Sequence, residues 1–319
     1  MSVLNRNHFY DEKAAFAYVE SILWPQGPVC PHCGTMERAY KLEGVRSKAS
    51  EKNPEGVERF GLYKCGECRK QYTVRKGTIF EESHCPLHKW LQAIHLLCSS
   101  KKGISAHQLH RVLEVQYKTA WFLAHRIREA MRSGDLTPFG GGGTPVEVDE
   151  TFIGRKKGEK VRYGYEHKYK VFALVDRETG VARSMVVEKV NTVTAAAIVR
   201  ANVAKEARLM TDEARHYIKV GREFADHQVV RHNDGEYGRG EAHTNTIEGY
   251  FSIFKRGMKG VYQHCAEKHL HRYLAEFDFR YTNRAGRGVD DTQRATKALL
   301  GVVGKRLTYQ RSGEGVASV

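Results

Sequence analysis

The chain has 319 residues, enough for one large domain or for two or three small ones that each bury a core. Lys and Arg number 52 against 37 Asp and Glu, a formal charge of +15 that suits nucleic acid, an anionic membrane surface, or a basic soluble enzyme with no polyanionic partner. No apolar run approaches the ~18 residues of a membrane span and the amino end is too acidic for a secretory signal, so a cytoplasmic protein without a membrane partner is expected.

Apolar residues Ala14, Tyr18, Val19, Ile22 and Leu23 recur at helical spacing and stop at Trp24-Pro25, which predicts a leading helix within residues 1–28. Residues 29–80 then turn to Cys, Gly, Tyr and Thr, the text of short strands around a metal knot. The polar run from Arg46 to Glu58, with Pro54 and Gly56, reads as a loop or hairpin tip inside that knot. Residues 86–135 return to helical spacing in three segments, around Trp90, Ile94 and Leu97, then Leu109, Val112 and Leu113, then Ala120, Leu123, Ile127 and Ala130. The short Glu114 to Lys118 connection has the length of a helix-turn-helix. Phe139 to Pro145, with four consecutive glycines, is the clearest linker.

Beyond it the period becomes two. Val146 and Val148 alternate with Glu147 and Asp149; Tyr169, Val171, Ala173 and Val175 make a second strand, Met185 and Val187 a third, with a turn at Arg177 to Gly180 between those two. A helix from Val193 to Ala204, apolar runs at Ala207 to Thr211 and Gln228 to Arg231, and helices from His243 onward complete the order of a ribonuclease H-like domain over residues 144–285. A helix and flexible tail, 286–319, follow, with Ser312 to Val319 expected to be disordered. The predicted architecture is a multi-domain α/β chain: zinc ribbon, helix-turn-helix-like helical domain, and a mixed sheet flanked by helices.

Seven cysteines include two Cys-x-x-Cys pairs, Cys30/Cys33 and Cys65/Cys68, each a knuckle that aims two thiolates at one tetrahedral ion. The 31 residues between the pairs exceed the usual ~15–20, and the polar insert accounts for the excess. Four sulfurs leave no open position, so one structural zinc is expected; four unrelated buried thiols or a redox pair are the alternatives. Cys85, Cys98 and Cys265 read as core thiols.

Asp149 interrupts the apolar strand Val146 to Gly154, where an acid is disfavoured without a task, and Glu147 shares its face. Asp212 ends the run Leu209-Met210-Thr211, at the strand end where open α/β sheets collect ligands. Glu248 sits on a helix beside inward-packing Ile247, Phe251 and Phe254. Lys255 follows it by seven positions on the same face. Attack on a phosphodiester needs two divalent ions held by such carboxylates. Each acid alone also suits a solvated surface. Asp176 and Asp234 are rivals that sit in turns, and the hairpin-turn chemistry of Asn233-Asp234-Gly235 explains the second without a catalytic duty.

The two knuckles with Arg69-Lys70-Gln71-Tyr72-Thr73, the segment Lys102 to Ala106, Ala120-Trp121-Phe122, His125 to Arg128, Val148 to Gly154, His243 to Glu248, Lys255-Arg256 and Glu276 to Arg284 resemble, in this order, insertion-sequence transposases that join a zinc ribbon to a ribonuclease H-like DDE core, the ISXO2-like group. The resemblance implies Asp149, Asp212 and Glu248 as the acids that hold two Mg²⁺ or Mn²⁺ ions, Lys255 as the basic residue that follows, and Asn245 as a further donor, since some relatives use Asn. It also implies cleavage and joining of double-stranded DNA by a homo-oligomer, with Lys118, Arg126, Arg128, Lys255 and Arg256 as candidate DNA contacts. A catalytically silent DNA-binding regulator and a ribonuclease H-like nuclease are the rival functions.

Overall fold

The computed structural model describes residues 2–51, 53–161, 165–236 and 238–308, so the segment Ser312 to Val319 lies outside the described residues. The chain forms two compact units. One comprises the residues up to Ser99, Ala106–Met131 and the segment from Ala295; the other comprises Ser100–Ser105 and Arg132–Arg294.

In the first unit, α1 (Glu12–Leu23) starts where the Asp11 carboxylate accepts the Ala14 N–H at 2.6 Å. The strands β1 (Ala39–Leu42), β2 (Leu62–Cys65) and β3 (Gln71–Tyr72) form an antiparallel sheet in that order. Its small core stacks Tyr63 on Tyr72, with ring centroids 5.8 Å apart, and sets the Trp24 edge against both rings. The polar insert is a hairpin, because Arg46 bridges Glu58 in the same register that pairs Ala39 with Cys65, and Ser50 and Asn53 close the tip.

The three expected helices are α2 (Leu87–Ser99), α3 (Ala106–Leu113) and α4 (Tyr117–Met131). Both oxygens of Glu12 accept backbone N–H groups at the start of α2, from Leu87 at 2.8 Å and His88 at 3.1 Å, which ties α1 to α2. Trp90, Leu97, Leu109, Leu123 and Ile127 are buried along their facing sides.

The second unit is built on a mixed five-stranded sheet. Its strands are β4 (Pro145–Ile153), β5 (Tyr169–Asp176), β6 (Ala182–Val187), β7 (Arg208–Asp212) and β8 (Asp226–Val230), in spatial order β6-β5-β4-β7-β8. β4, β5 and β6 pair antiparallel, whereas β4, β7 and β8 pair parallel. Parallel pairing needs crossovers, supplied by α5 (Thr192–Asn202) and α6 (Arg215–Gly221). Val146, Val148 and Leu209 face α5 and α6, while Val171, Ala173 and Val175 face α7 (Asn245–Gly257) and α8 (Glu267–Thr282). With both faces covered, β5 becomes the near-continuous apolar run that its sequence shows. The last helix is α9 (Asp291–Leu300).

The glycine-rich stretch differs from the linker expected of it. Phe139 is buried in the core under α5 and bridges Val203, and Gly140 donates its N–H to Asp176 at 3.1 Å. Asp176 also accepts from Thr179, so this acid shapes two turns. A Cβ on Gly140 would lie 2.3 Å from the Ala207 Cβ at a φ of +78°, whereas one on Gly141 would meet nothing within 4 Å. The glycines therefore serve close approach and left-handed backbone, which composition alone does not separate from freedom. Gly140→Ala is expected to lower stability by about 2–4 kcal/mol in urea unfolding, with Gly141→Ala near neutral; equal effects would contradict this packing.

The edge strand β6 is covered by α8. Asp278 accepts the Ser184 N–H at 2.9 Å, the Ser184 hydroxyl at 2.8 Å and the Tyr250 hydroxyl at 2.7 Å. Burial outweighs these donors and pushes the Asp278 carboxyl up to about 6. Since the folded state then binds this proton more tightly than the unfolded chain, stability from this group is full at low pH and falls as pH rises from about 4 to about 6. Asp278→Asn should lack that slope, so the stability difference between variant and wild type, measured by denaturant unfolding at successive pH values, should change by roughly 3 kcal/mol over this range.

Candidate metal centres

The knuckles meet as the sequence predicts. The Cys30 and Cys68 sulfurs lie 3.7 Å apart and those of Cys33 and Cys65 3.6 Å apart, with all four ligand atoms within 4.8 Å of one another. A tetrahedral ion with Zn–S bonds of about 2.3 Å has sulfur–sulfur edges of roughly 3.8 Å, so the four thiols are already spaced for zinc. Local backbone makes the turns. Gly34, at a φ of +78°, donates to the Cys30 carbonyl at 2.8 Å, and the Cys68 N–H points at the Cys65 sulfur at 3.5 Å. That donor, foremost among the causes, brings the Cys65 thiol down to about 7 and so favours the thiolate a metal requires. Cys85 and Cys98 are buried thiols outside this group, and Cys265 packs partly buried against the core beneath α7.

Asp149 lies at the middle of β4 and Asp212 at the carboxyl end of β7. The parallel register pairs Glu147 with Met210, and continuing it by two residues brings Asp149 level with Asp212. Both point to the sheet face that α7 covers. Burial raises the Asp149 carboxyl well above its ordinary range, and the charges of Glu150, Asp212 and Glu248 raise it further. Asp212 is likewise raised, first by burial and against the Ala214 N–H it accepts at 3.0 Å. Glu248, exposed on the first turn of α7, accepts the Thr244 hydroxyl at 2.9 Å and lies 3.4 Å from the His232 ring. Asn245 is the exposed first residue of α7, and Lys255 lies two turns beyond Glu248 with its ammonium 5.9 Å from the Phe251 ring. The three acids share one neighbourhood without converging on one point. Among the described residues only the four cysteines form a group of three or more metal-type ligands within 4.8 Å.

Several neighbours escape a reading by sequence. Glu150 turns to the opposite face, where its carboxylate accepts the Tyr217 hydroxyl at 2.6 Å and meets the His216 ring at 3.2 Å. Its period-two position gave the face, but α6, which carries both partners, is too short for a periodic signal. His232 belongs to a short turn without periodic pattern, and Thr244, though inside the segment His243 to Glu248, has no role that its sequence assigns.

Of the candidate DNA contacts, Lys118 and Arg256 are exposed, whereas Arg126 and Arg128 are buried at 5% and 2% exposure. The Arg126 guanidinium donates to the carbonyls of Ile79 at 2.8 Å, Glu81 at 2.9 Å and Leu307 at 2.9 Å. Its donors are thus committed to the first unit's interior, and the expectation that Arg126 and Arg128 face DNA is corrected by their burial.

Comparison with known proteins follows the same division. Residues 141–282 match the ISXO2-like transposase domain, and residues 10–71 match the transposase zinc-ribbon domain. The chain is 28% identical over 297 residues to a protein in transposable element ISH50 of Halobacterium salinarum, which spans 85% of this chain and 91% of that protein. Among solved structures, the simian T-cell lymphotropic virus intasome in complex with PP2A regulatory subunit B56 gamma is similar at 13% identity, over 72% of this chain and 78% of that one, with a TM-score of 0.31, too low to establish a common fold. No helix among the described residues is long and apolar enough to cross a membrane.

Replacing Cys65 with Ser should abolish stoichiometric zinc and unfold the ribbon, given the roughly 10–16 kcal/mol that structural zinc contributes in small peptides. Zinc content by atomic absorption is the measurement, and an unchanged value would refute the four-thiol site.

Proposed function

The chain carries an ISXO2-like transposase domain behind a transposase zinc ribbon, and from that premise we propose that it cuts the ends of an insertion sequence and joins the freed 3′ hydroxyl to target DNA. The observation that supports this reading is Asp149 on the sheet face that α7 covers, where burial and then the charges of Glu150, Asp212 and Glu248 raise its carboxyl. A cluster of oxygen donors of that kind fits Mg²⁺ or Mn²⁺. Asp149, Asp212 and Glu248 would hold the ions, with Asn245 as the alternative oxygen donor on α7. When bound, two such ions stabilise the entering and departing oxygens of a phosphodiester. The order of three antiparallel strands followed by two parallel ones supports assigning the core to the ribonuclease H-like folds.

The reaction needs no covalent protein intermediate. A water oxygen attacks phosphorus at the transposon end, the P–O3′ bond breaks, and the departing 3′ oxygen takes up a proton. That hydroxyl then gives up its proton as its oxygen attacks phosphorus in the target and displaces a 3′ oxygen there. Lys255 and Arg256 at the end of α7 hold phosphates beside the acids. α3 and α4 act as a helix-turn-helix that offers Lys118. On the ribbon, Tyr40, Lys64 and Gln71 are exposed neighbours across the three strands, an aromatic and basic row suited to DNA. Bringing two transposon ends together calls for a homo-oligomer on the DNA.

The test is incubation with Mn²⁺ and duplex DNA carrying the inverted repeats that flank the coding region. A cut plus a joined product is expected; a cut alone would indicate a nuclease, and binding without a cut a regulator. Asp149→Asn should abolish cleavage and leave end binding within about threefold, because it removes a metal ligand and no DNA contact. Parallel loss of binding and cleavage would contradict that separation.

A further inference from the structure

We propose that Glu147 is a positioning residue that locks the acid on α7 to the acids on the sheet; this rests on the transposase reading of the site. Glu147 is fully buried in β4, two residues before Asp149 and on the same face. One of its oxygens lies 2.5 Å from the Arg177 Nε and 3.3 Å from the His243 Nδ1; the other accepts the Ile247 N–H at 2.7 Å. Ile247 immediately precedes Glu248.

The Ile247 N–H is one of the amides at a helix start that have no partner within the helix. Thr244, the residue ahead of α7, makes no side-chain cap, and its hydroxyl is given to Glu248 instead. Glu147 therefore caps α7 from the neighbouring strand, with a negative charge at the positive end of the helix dipole. Arg177 completes the clamp by donating to the Glu241 carbonyl at 2.7 Å, to the His243 ring at 3.0 Å and to the His243 carbonyl. The segment entering α7 is thus held by one guanidinium and the helix start by one carboxylate, which the ion pair joins to β4.

Stability does not account for this arrangement, since a buried ion pair is commonly replaced by packed apolar side chains without loss. What an apolar pair lacks is the directional bond from β4 to Ile247. That bond sets how far Glu248 stands from Asp149 before any ion is bound, and supporting residues of this kind typically change metal affinity 10–100-fold when lost.

The experiment is calorimetric titration of the full chain with Mn²⁺, alongside thermal melts. Glu147→Gln keeps an acceptor for Ile247 and should bind Mn²⁺ within about threefold of wild type. Glu147→Ala and the paired replacement Glu147→Leu/Arg177→Met should bind at least about tenfold more weakly. The paired replacement decides the matter if the alanine variant fails to fold, because it leaves no unpaired buried charge. Its melting like wild type with unchanged Mn²⁺ affinity, while Asp149→Asn loses affinity, would overturn the positioning role alone. Unchanged affinity in Asp149→Asn would instead overturn the site reading, and the positioning role with it.

Discussion

Carboxylates brought close together repel, and the second unit concentrates that repulsion between the middle of β4 and the carboxyl end of β7. Continuing the parallel register brings Asp149 level with Asp212, and the charge of Glu248 on α7 adds to the burial that raises Asp149. A fold that only sought stability would separate these charges or pair each with a cation. The mixed sheet keeps Asp149 and Asp212 side by side because β4 and β7 pair in parallel, while Glu248 stands 3.4 Å from the His232 ring.

The same strand carries the opposite solution two residues earlier. Glu147 is as deeply buried as any group in the unit, yet both its oxygens are matched, by Arg177 and by the Ile247 amide. Glu147 and Asp149, two residues apart, thus differ: the first is matched by partners on its own chain, while burial and neighbouring charges raise the carboxyl of the second. Arg126 makes the corresponding point for cations. Three carbonyls absorb its guanidinium, so its charge organises the interior of the first unit, whereas Lys118 on the same helix is exposed.

The ribbon shows how little apolar material a small module needs when a metal fastens it. Its core amounts to Trp24, Tyr63 and Tyr72 packed beside the cysteines. Two knuckles hold the ends of a three-stranded sheet, and the long polar insert extends the β1–β2 hairpin in unbroken register. An insert of that kind leaves the thiol geometry untouched, since it lengthens the arm at the end remote from the knuckles.

Local pattern was sufficient for the zinc knuckles, for the helices α2 to α4 and for the strand β4, because thiol spacing and side-chain periodicity are properties of neighbouring residues. Asp149 could be singled out in the same way, as an acid in an apolar strand. The glycine run at 140–143, the burial of Arg126 and Arg128, and the partners of Glu147 and Glu150 could not. Each depends on residues that folding brings from far along the chain: Ala207 for Gly140, Ile79 and Leu307 for Arg126, Ile247 for Glu147, Tyr217 for Glu150. Whether a charge is solvated, paired or left for a ligand is decided by distances of a few ångströms between such residues, and no periodicity along the chain encodes them.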